Sequence, residues 1–203
     1  MAESIVQVTE GSGKKLRTFQ RVITPNTVEE EAMFLAEQNA PTYAWTTPGL
    51  SLAAAGDLMQ IMAGASLNVY LRRILVYQHI AATTAAIAEF QLVRLTTAGT
   101  GGTAVNPLPL DSTDNAASSA GMTLPTARGT AGNRLWHGDA GLLQTMPTSG
   151  ASLLLLDLDF DKLLRGKVPR IPAGVTNGLA FQLVSTHAGA QVIIAAYLAE
   201  QAF

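Results

Sequence analysis

The sequence predicts an all-β fold, a jelly-roll-like β-sandwich behind an extended N-terminal arm, and three features carry that prediction. From residue 50 onward, short apolar runs are divided by Gly, Pro, Asn and Ser, the punctuation of many strands rather than a few helices. Several of these runs alternate apolar and polar residues, as a strand with one buried face must. Strand-like runs do not alternate with long amphipathic helices, which argues against a doubly wound α/β fold. The expected division is an arm over residues 1–48 and a sandwich over 49–203.

The arm carries few core formers. Glu10-Gly11-Ser12-Gly13-Lys14-Lys15 reads as a flexible turn, and Leu16 to Val22 has mixed polarity. Thr27-Val28-Glu29-Glu30 has capping-box spacing, and Val28, Ala32, Leu35 and Ala36 would line one face of a short helix. A helix of about 12 residues is marginal without packing, so an arm strand fits the segment equally.

In the body the expected strands are Asp57 to Met62, Leu67 to His79, Ile87 to Thr96, Ser152 to Phe160, Gly178 to Ser185 and Gln191 to Ala199. Weaker candidates are Thr103 to Leu108, Gly121 to Leu124 and Arg134 to His137. In the second run Leu67, Val69, Leu71, Leu75 and Tyr77 fall on one face and Asn68, Arg72 and Gln78 on the other, the pattern of a half-buried strand. Leu179, Phe181 and Leu183 repeat it, whereas Leu153 to Leu156 is continuously apolar and predicts a strand covered on both sides. Together these fit two packed sheets. Thr96 to Thr123 is rich in Ala, Gly, Thr and Ser, a linker composition. Val105, Leu108, Leu110 and Met122 supply anchors at intervals, so an ordered excursion with short strands is expected there.

Composition narrows the function. Hydrophobic residues make up 48% of the 203-residue chain and charged residues 14%, against about 25% charged in ordinary soluble domains. A surface of neutral Ala, Thr, Gly and Ser is a solubility risk for a free monomer and points to burial against partners. Thirteen basic residues stand against fifteen acidic ones, so no basic field draws the chain to nucleic acid. Beyond residue 40 the charges balance at nine and nine, which leaves the net −2 in the first forty residues. Without cysteine there is no disulfide framework, thiolate zinc site or cysteine nucleophile. No apolar run approaches the roughly 20 residues of a membrane span, and Met1 to Glu10 lacks a signal-like apolar stretch. Synthesis in a cytosol, with no membrane partner, is expected.

The search for chemistry finds no catalytic, cofactor-binding or metal site to assign. His79, His137 and His187 each stand alone in sequence and read as ordinary strand or turn residues. Asp157, Asp159 and Asp161 alternate in Leu-Asp-Leu-Asp-Phe-Asp and, on an extended strand, would project to one side as Ca²⁺ ligands do. The glycine turn and distant Glu of an EF-hand are missing, and the same carboxylates could meet Lys162 and Arg165 or face solvent. Trp136-His137-Gly138-Asp139 places His near Asp without a nucleophile, and Gly99-Thr100-Gly101-Gly102 lacks the Lys and helix of a phosphate loop. Arg72-Arg73, on opposite faces of a strand, are read either as interfacial or as charges guarding a sheet edge.

Several stretches resemble a group of tailed-phage virion proteins. They are Val6 to Leu16, Leu58 to Gly64, Leu67 to Ile74, Phe90 to Leu110 with Arg94-Leu95-Thr96-Thr97-Ala98-Gly99-Thr100-Gly101-Gly102-Thr103-Ala104-Val105 at its centre, Leu156 to Asp161 and Ile171 to Gly178. The resemblance implies a non-enzymatic structural protein of the virion. A capsid decoration or cement protein stands first, and a neck, tail or fibre component that binds a receptor or carbohydrate is the alternative. It also implies partners: copies of the chain itself in a homo-oligomer, a trimer first, and the major capsid protein or other virion proteins. Exposed aromatics such as Tyr43, Trp45 and Trp136 gathered on one loop face would favour the binding alternative. A convergent pocket with shifted carboxylates would favour an enzyme.

Overall fold

A computed structural model describes residues 17–23, 26–32, 40–146, 152–163 and 167–202, with side chains from residue 40 onward. The chain divides into two compact units, Met1–Asn39 and Ala40–Phe203. In the first, β1 (Arg17–Ile23) and β2 (Asn26–Ala32) pair antiparallel, Arg17 opposite Ala32 and Ile23 opposite Asn26. Of the two readings of this segment the strand holds, while Leu35, Ala36 and the Glu10–Lys15 turn lie outside the described residues.

The second unit is an all-β sandwich of two antiparallel sheets. Its strands are β3 (Thr42–Thr46), β4 (Leu50–Ser51), β5 (Gly56–Met62), β6 (Asn68–Ile80), β7 (Ala86–Leu95), β8 (Thr103–Val105), β9 (Leu108–Pro109), β10 (Ala120–Thr123), β11 (Ala131–Leu142), β12 (Leu153–Asp159), β13 (Arg170–Ile171), β14 (Gly178–Leu183) and β15 (Gln191–Gln201). A single helical turn, α1 (Phe160–Leu163), follows β12. One sheet runs β11-β7-β14-β5-β10-β8 and the other β12-β6-β15-β3-β9, with β13 on β6 and β4 on β15.

Eight of these strands explain the architecture. Taken in chain order as β3, β5, β6, β7, β11, β12, β14 and β15, they pair first with last, second with seventh, third with sixth and fourth with fifth. That is one long antiparallel hairpin rolled up on itself, the topology of a jelly roll. The excursion 96–130 joins the fourth strand to the fifth and so sits at the tip of the rolled hairpin.

The two inner faces form one core that includes Leu58, Ile61, Val69, Leu71, Ile74, Val76, Phe90, Leu92, Phe181, Val192 and Ile194. The compact unit that holds the sandwich begins at Ala40, nine residues before the boundary expected from sequence. Tyr43 and Trp45 of β3 are 2% and 1% exposed, and the strand pairs with β15, Tyr43 opposite Leu198 and Trp45 opposite Ala196. Gly121 of β10 lies under the Trp45 ring. A Cβ there would come within 2.5 Å of the Val105 carbonyl oxygen and 2.8 Å of the indole. Gly121→Ala is therefore expected to destabilise the sandwich by about 1–3 kcal/mol, as overpacking does, read as a lowered chemical-denaturation midpoint at unchanged slope.

Two expectations are corrected. In β6 the inward residues are Val69 and Leu71, then Ile74 and Val76, so the face changes parity midway. Leu71 pairs with Leu198 and Arg73 with Tyr197, which leaves Arg72 as the extra residue of a β-bulge. Leu75 and Tyr77 thereby turn outward and Gln78 inward, where its amide holds the Leu143 backbone at 2.7 and 2.9 Å. In β12 the continuous apolar run is not covered on both sides: the strand is a sheet edge, Leu154 is 47% exposed and Leu155 is skipped in the register.

The excursion is ordered. Glu200, 1% exposed, accepts bonds from Ser118 N, Ser118 Oγ and Ser119 N, each at 2.8 Å, and the Tyr43 hydroxyl donates to Asn115 O at 3.1 Å. Burial, with Glu200 and Asp114 nearby, raises the Tyr43 hydroxyl above its ordinary value.

Candidate functional site

The carboxylate ladder is consumed by ion pairs. Asp157 accepts two bonds from the Arg73 guanidinium, at 2.8 and 2.6 Å. Asp161 meets Arg72 at 2.9 Å and Asp159 meets Lys162 Nζ at 2.9 Å. Asp161 is not on the strand at all. Asp159 caps α1, accepting from Lys162 N at 3.2 Å, and the chain turns helical at Phe160. The bulge at Arg72 brings two consecutive arginines to neighbouring acids of one strand exit, so the opposite-face expectation for Arg72-Arg73 gives way to a shared ion-pair cluster. Arg165 lies outside the described residues.

The Arg73 bonds hold Asp157 below the usual carboxylate range, and the Lys162 bonds do the same for Asp159. Their stabilisation is therefore complete above the unfolded value, about 3.9, and is lost as pH falls through the lower folded values. These exposed pairs are small contributors at neutral pH. Asp157→Asn is expected to change neutral-pH melting little while flattening the acid limb, which thermal melts across the acid range read directly. Among the described residues no group of three or more His, Cys, Asp or Glu could hold a metal ion. Calcium added to chelator-treated protein is expected to leave the melting temperature unchanged; a rise would restore the cation reading.

The histidines do not converge. His79 is exposed near the end of β6. His137 Nε2 lies 2.6 Å from Glu89 Oε1 across the β11–β7 pair. His187 Nε2 lies 2.8 Å from Ser185 Oγ, which also accepts from Glu89 N at 3.0 Å. The serine–histidine contact thus sits in the β14–β15 connection, pinned further by His187 N donating to Leu52 O at 2.7 Å, and the Glu89 carboxylate is engaged by His137 instead.

An exposed aromatic platform is not formed. Tyr43 and Trp45 are core residues, and Trp136 is half-buried with its ring 6.4 Å from Phe181, which in turn stacks on Phe90 at 5.4 Å. One open groove, about 320 Å³, is lined by Arg94, Thr96, Arg170 and Asn177; the Arg94 guanidinium donates to Arg170 O at 2.9 Å.

The outward faces of the sheets differ in chemistry, a feature the linear reading missed because register bulges set it. On the six-stranded sheet the outward residues include a buried amide–carboxylate ladder beside an apolar cluster of Met62, Val93, Leu95 and Ala180. Gly99 N donates to Gln60 Oε1 at 2.8 Å, Gln60 Nε2 to Asp57 Oδ2 at 2.5 Å, Gln182 Nε2 to Asp57 Oδ1 at 2.6 Å and Gln91 Nε2 to Gln182 Oε1 at 2.7 Å. On the seven-stranded sheet the inward positions of β15 are Val192, Ile194, Ala196 and Leu198. Ile193, Ala195 and Tyr197 therefore face outward, in register with Tyr77, Leu75 and Arg73.

Comparison of the chain with protein-family models, with curated proteins and with solved structures gives no match.

Proposed function

We propose that the chain is a non-enzymatic structural component of a tailed-phage particle, a capsid decoration or cement protein that sits on the capsid lattice as a homo-oligomer, with a trimer the first expectation. The observation that carries this reading is the apolar, tyrosine-bearing outward face of the seven-stranded sheet on a chain with only 14% charged residues. A surface of that kind is stable in water when partners cover it. The jelly-roll topology agrees by analogy, since capsid and lectin domains use it, though fold alone does not assign function. The separate N-terminal unit, with its Glu29-Glu30-Glu31 run, supplies a second attachment element whose charge differs from the balanced body. The virion is then the site of action, the major capsid protein a partner, and host cytoplasm the place of synthesis. The receptor- or sugar-binding alternative loses the aromatic platform it called for.

The test is particle composition. In virions purified by density gradient, mass spectrometry is expected to find the chain in fixed proportion to the major capsid protein. Its absence from the particle would end this reading, and a few copies per particle would move it to the neck, tail or fibre.

A further inference from the structure

We infer that copies of this chain meet one another through the outward face of the seven-stranded sheet, centred on Tyr77, Ile193 and Tyr197. The inference rests on the assembly reading and names the surface it uses. Register places Tyr77 opposite Ile193 and Arg73 opposite Tyr197, with the Leu75–Ala195 pair, itself buried beneath its neighbours, between them. Ala44 of β3 continues the Tyr197 row, and Leu108 of β9, 69% exposed, ends it. Leu154 of β12, opposite Tyr77, closes the other side.

Three physical features fit a second copy as the occupant. The first is composition: interface centres are enriched in tyrosine and depleted in charge. Of the four tyrosines in the chain, Tyr43 is in the core and Tyr70, Tyr77 and Tyr197 lie on this face. The second is charge. Of the ionised groups on the face, Arg73 beside Tyr197 pairs with Asp157 and Lys162 at the edge pairs with Asp159, while Arg170 stands opposite Tyr70. Charges paired in this way let the centre of the face meet its own equivalent around a symmetry axis without like-charge repulsion, which a strongly charged centre cannot. The third is size. Seven residues in each of β12, β6 and β15, with the five of β3 and the two of β9, at about 4.8 Å spacing and about 3.4 Å per residue give a footprint of roughly 450 Å². With side-chain relief it reaches about 600 Å², the low end of what each partner of a specific interface covers.

The full chain at several concentrations, followed by light scattering after size-exclusion chromatography, tests the proposal. Wild type is expected to self-associate. Tyr77→Lys and Tyr197→Lys are expected to weaken association by about tenfold or more, with circular dichroism unchanged, and Ile87→Lys on the other sheet should leave it intact. Because the chain has no cysteine, Ile193→Cys and Ile87→Cys each report one position. Maleimide labelling at residue 193 should slow as the oligomer forms while residue 87 stays reactive, and this readout stands even if a lysine variant fails to fold. Association that persists in both folded lysine variants, with residue 193 fully reactive, overturns this surface and leaves the assembly reading in place. A wild type that is monomeric at every concentration overturns the self-contact, and particle composition then decides the assembly reading separately.

Discussion

Removing residues 1–39 is expected to leave a cooperatively folding sandwich, whereas removing residues 1–48 is expected to leave a chain that does not fold. The two truncations differ by nine residues, yet those nine contain all of β3. β3 is the first strand of the rolled hairpin and pairs with the last, five residues in register from Thr46–Ala195 to Thr42–Ala199. It also delivers Trp45 and Tyr43, the two largest fully buried side chains. Deleting a buried large aromatic costs about 3–5 kcal/mol, so losing both together with their backbone ladder removes an amount comparable to the whole stability of a domain, about 5–15 kcal/mol. Far-UV circular dichroism and thermal melting distinguish the outcomes. Buried-indole fluorescence from Trp45 should survive the shorter truncation. A folded 49–203 fragment would show that β15 and Gly121 can close without β3, contrary to the packing described. On the assembly reading, the 1–39 truncation should bind particles more weakly than the full chain.

The same strand shows where the sequence was readable. Alternating Leu179, Phe181 and Leu183 is a local signal, and β14 lies where it was expected with its odd positions inward. Thr42 to Thr46 also alternates, but it is short, flanked by prolines and neutral, and its partner lies some 150 residues later, so nothing local marks it as core. The long alternation in β6 was legible as a strand, and its face was misassigned after Leu71 because one bulged residue inverts every side chain beyond it. The ladder Asp157, Asp159, Asp161 failed for a related reason: capping by Asp159 ends the strand before the third carboxylate. β11 was underestimated because Gly132, Gly138 and Gly141 break its pattern, although pairing with β7 carries it from Ala131 to Leu142. The tyrosine face could not have been read at all, since it is assembled from strands far apart in the chain by registers that only the folded sheet fixes.

Asp57 is where the loss of one buried polar side chain should have the largest effect. Its side chain is among residues that are 2% exposed or less, with Gln60 at 1% and Gln182 at 6% beside it, and both of its oxygens accept from side-chain amides. The Gln60 amide cannot turn over to suit a different partner. Gly99 N–H can only donate, which fixes the Gln60 oxygen toward it and the Gln60 nitrogen toward Asp57. Gln91 donates to the Gln182 oxygen, and because Gln91 is itself a half-buried amide the two can turn over together, so that Gln182 presents its oxygen to position 57. Asp57→Asn keeps the shape and replaces one acceptor by a donor: its oxygen can accept from Gln60 and its NH₂ can donate to the turned Gln182 oxygen. The cost of one buried unmet donor is about 1–3 kcal/mol; Asp57→Ala leaves the Gln60 and Gln182 donors both unmet, whereas Asp57→Asn leaves none. Asp57→Ala is therefore expected to destabilise by roughly 2–6 kcal/mol, and Asp57→Asn by about 1 kcal/mol or less. Urea denaturation of the two variants measures it. If Asn were as severe as Ala, Gln182 and Gln91 would be locked in the sense described and could not turn over together.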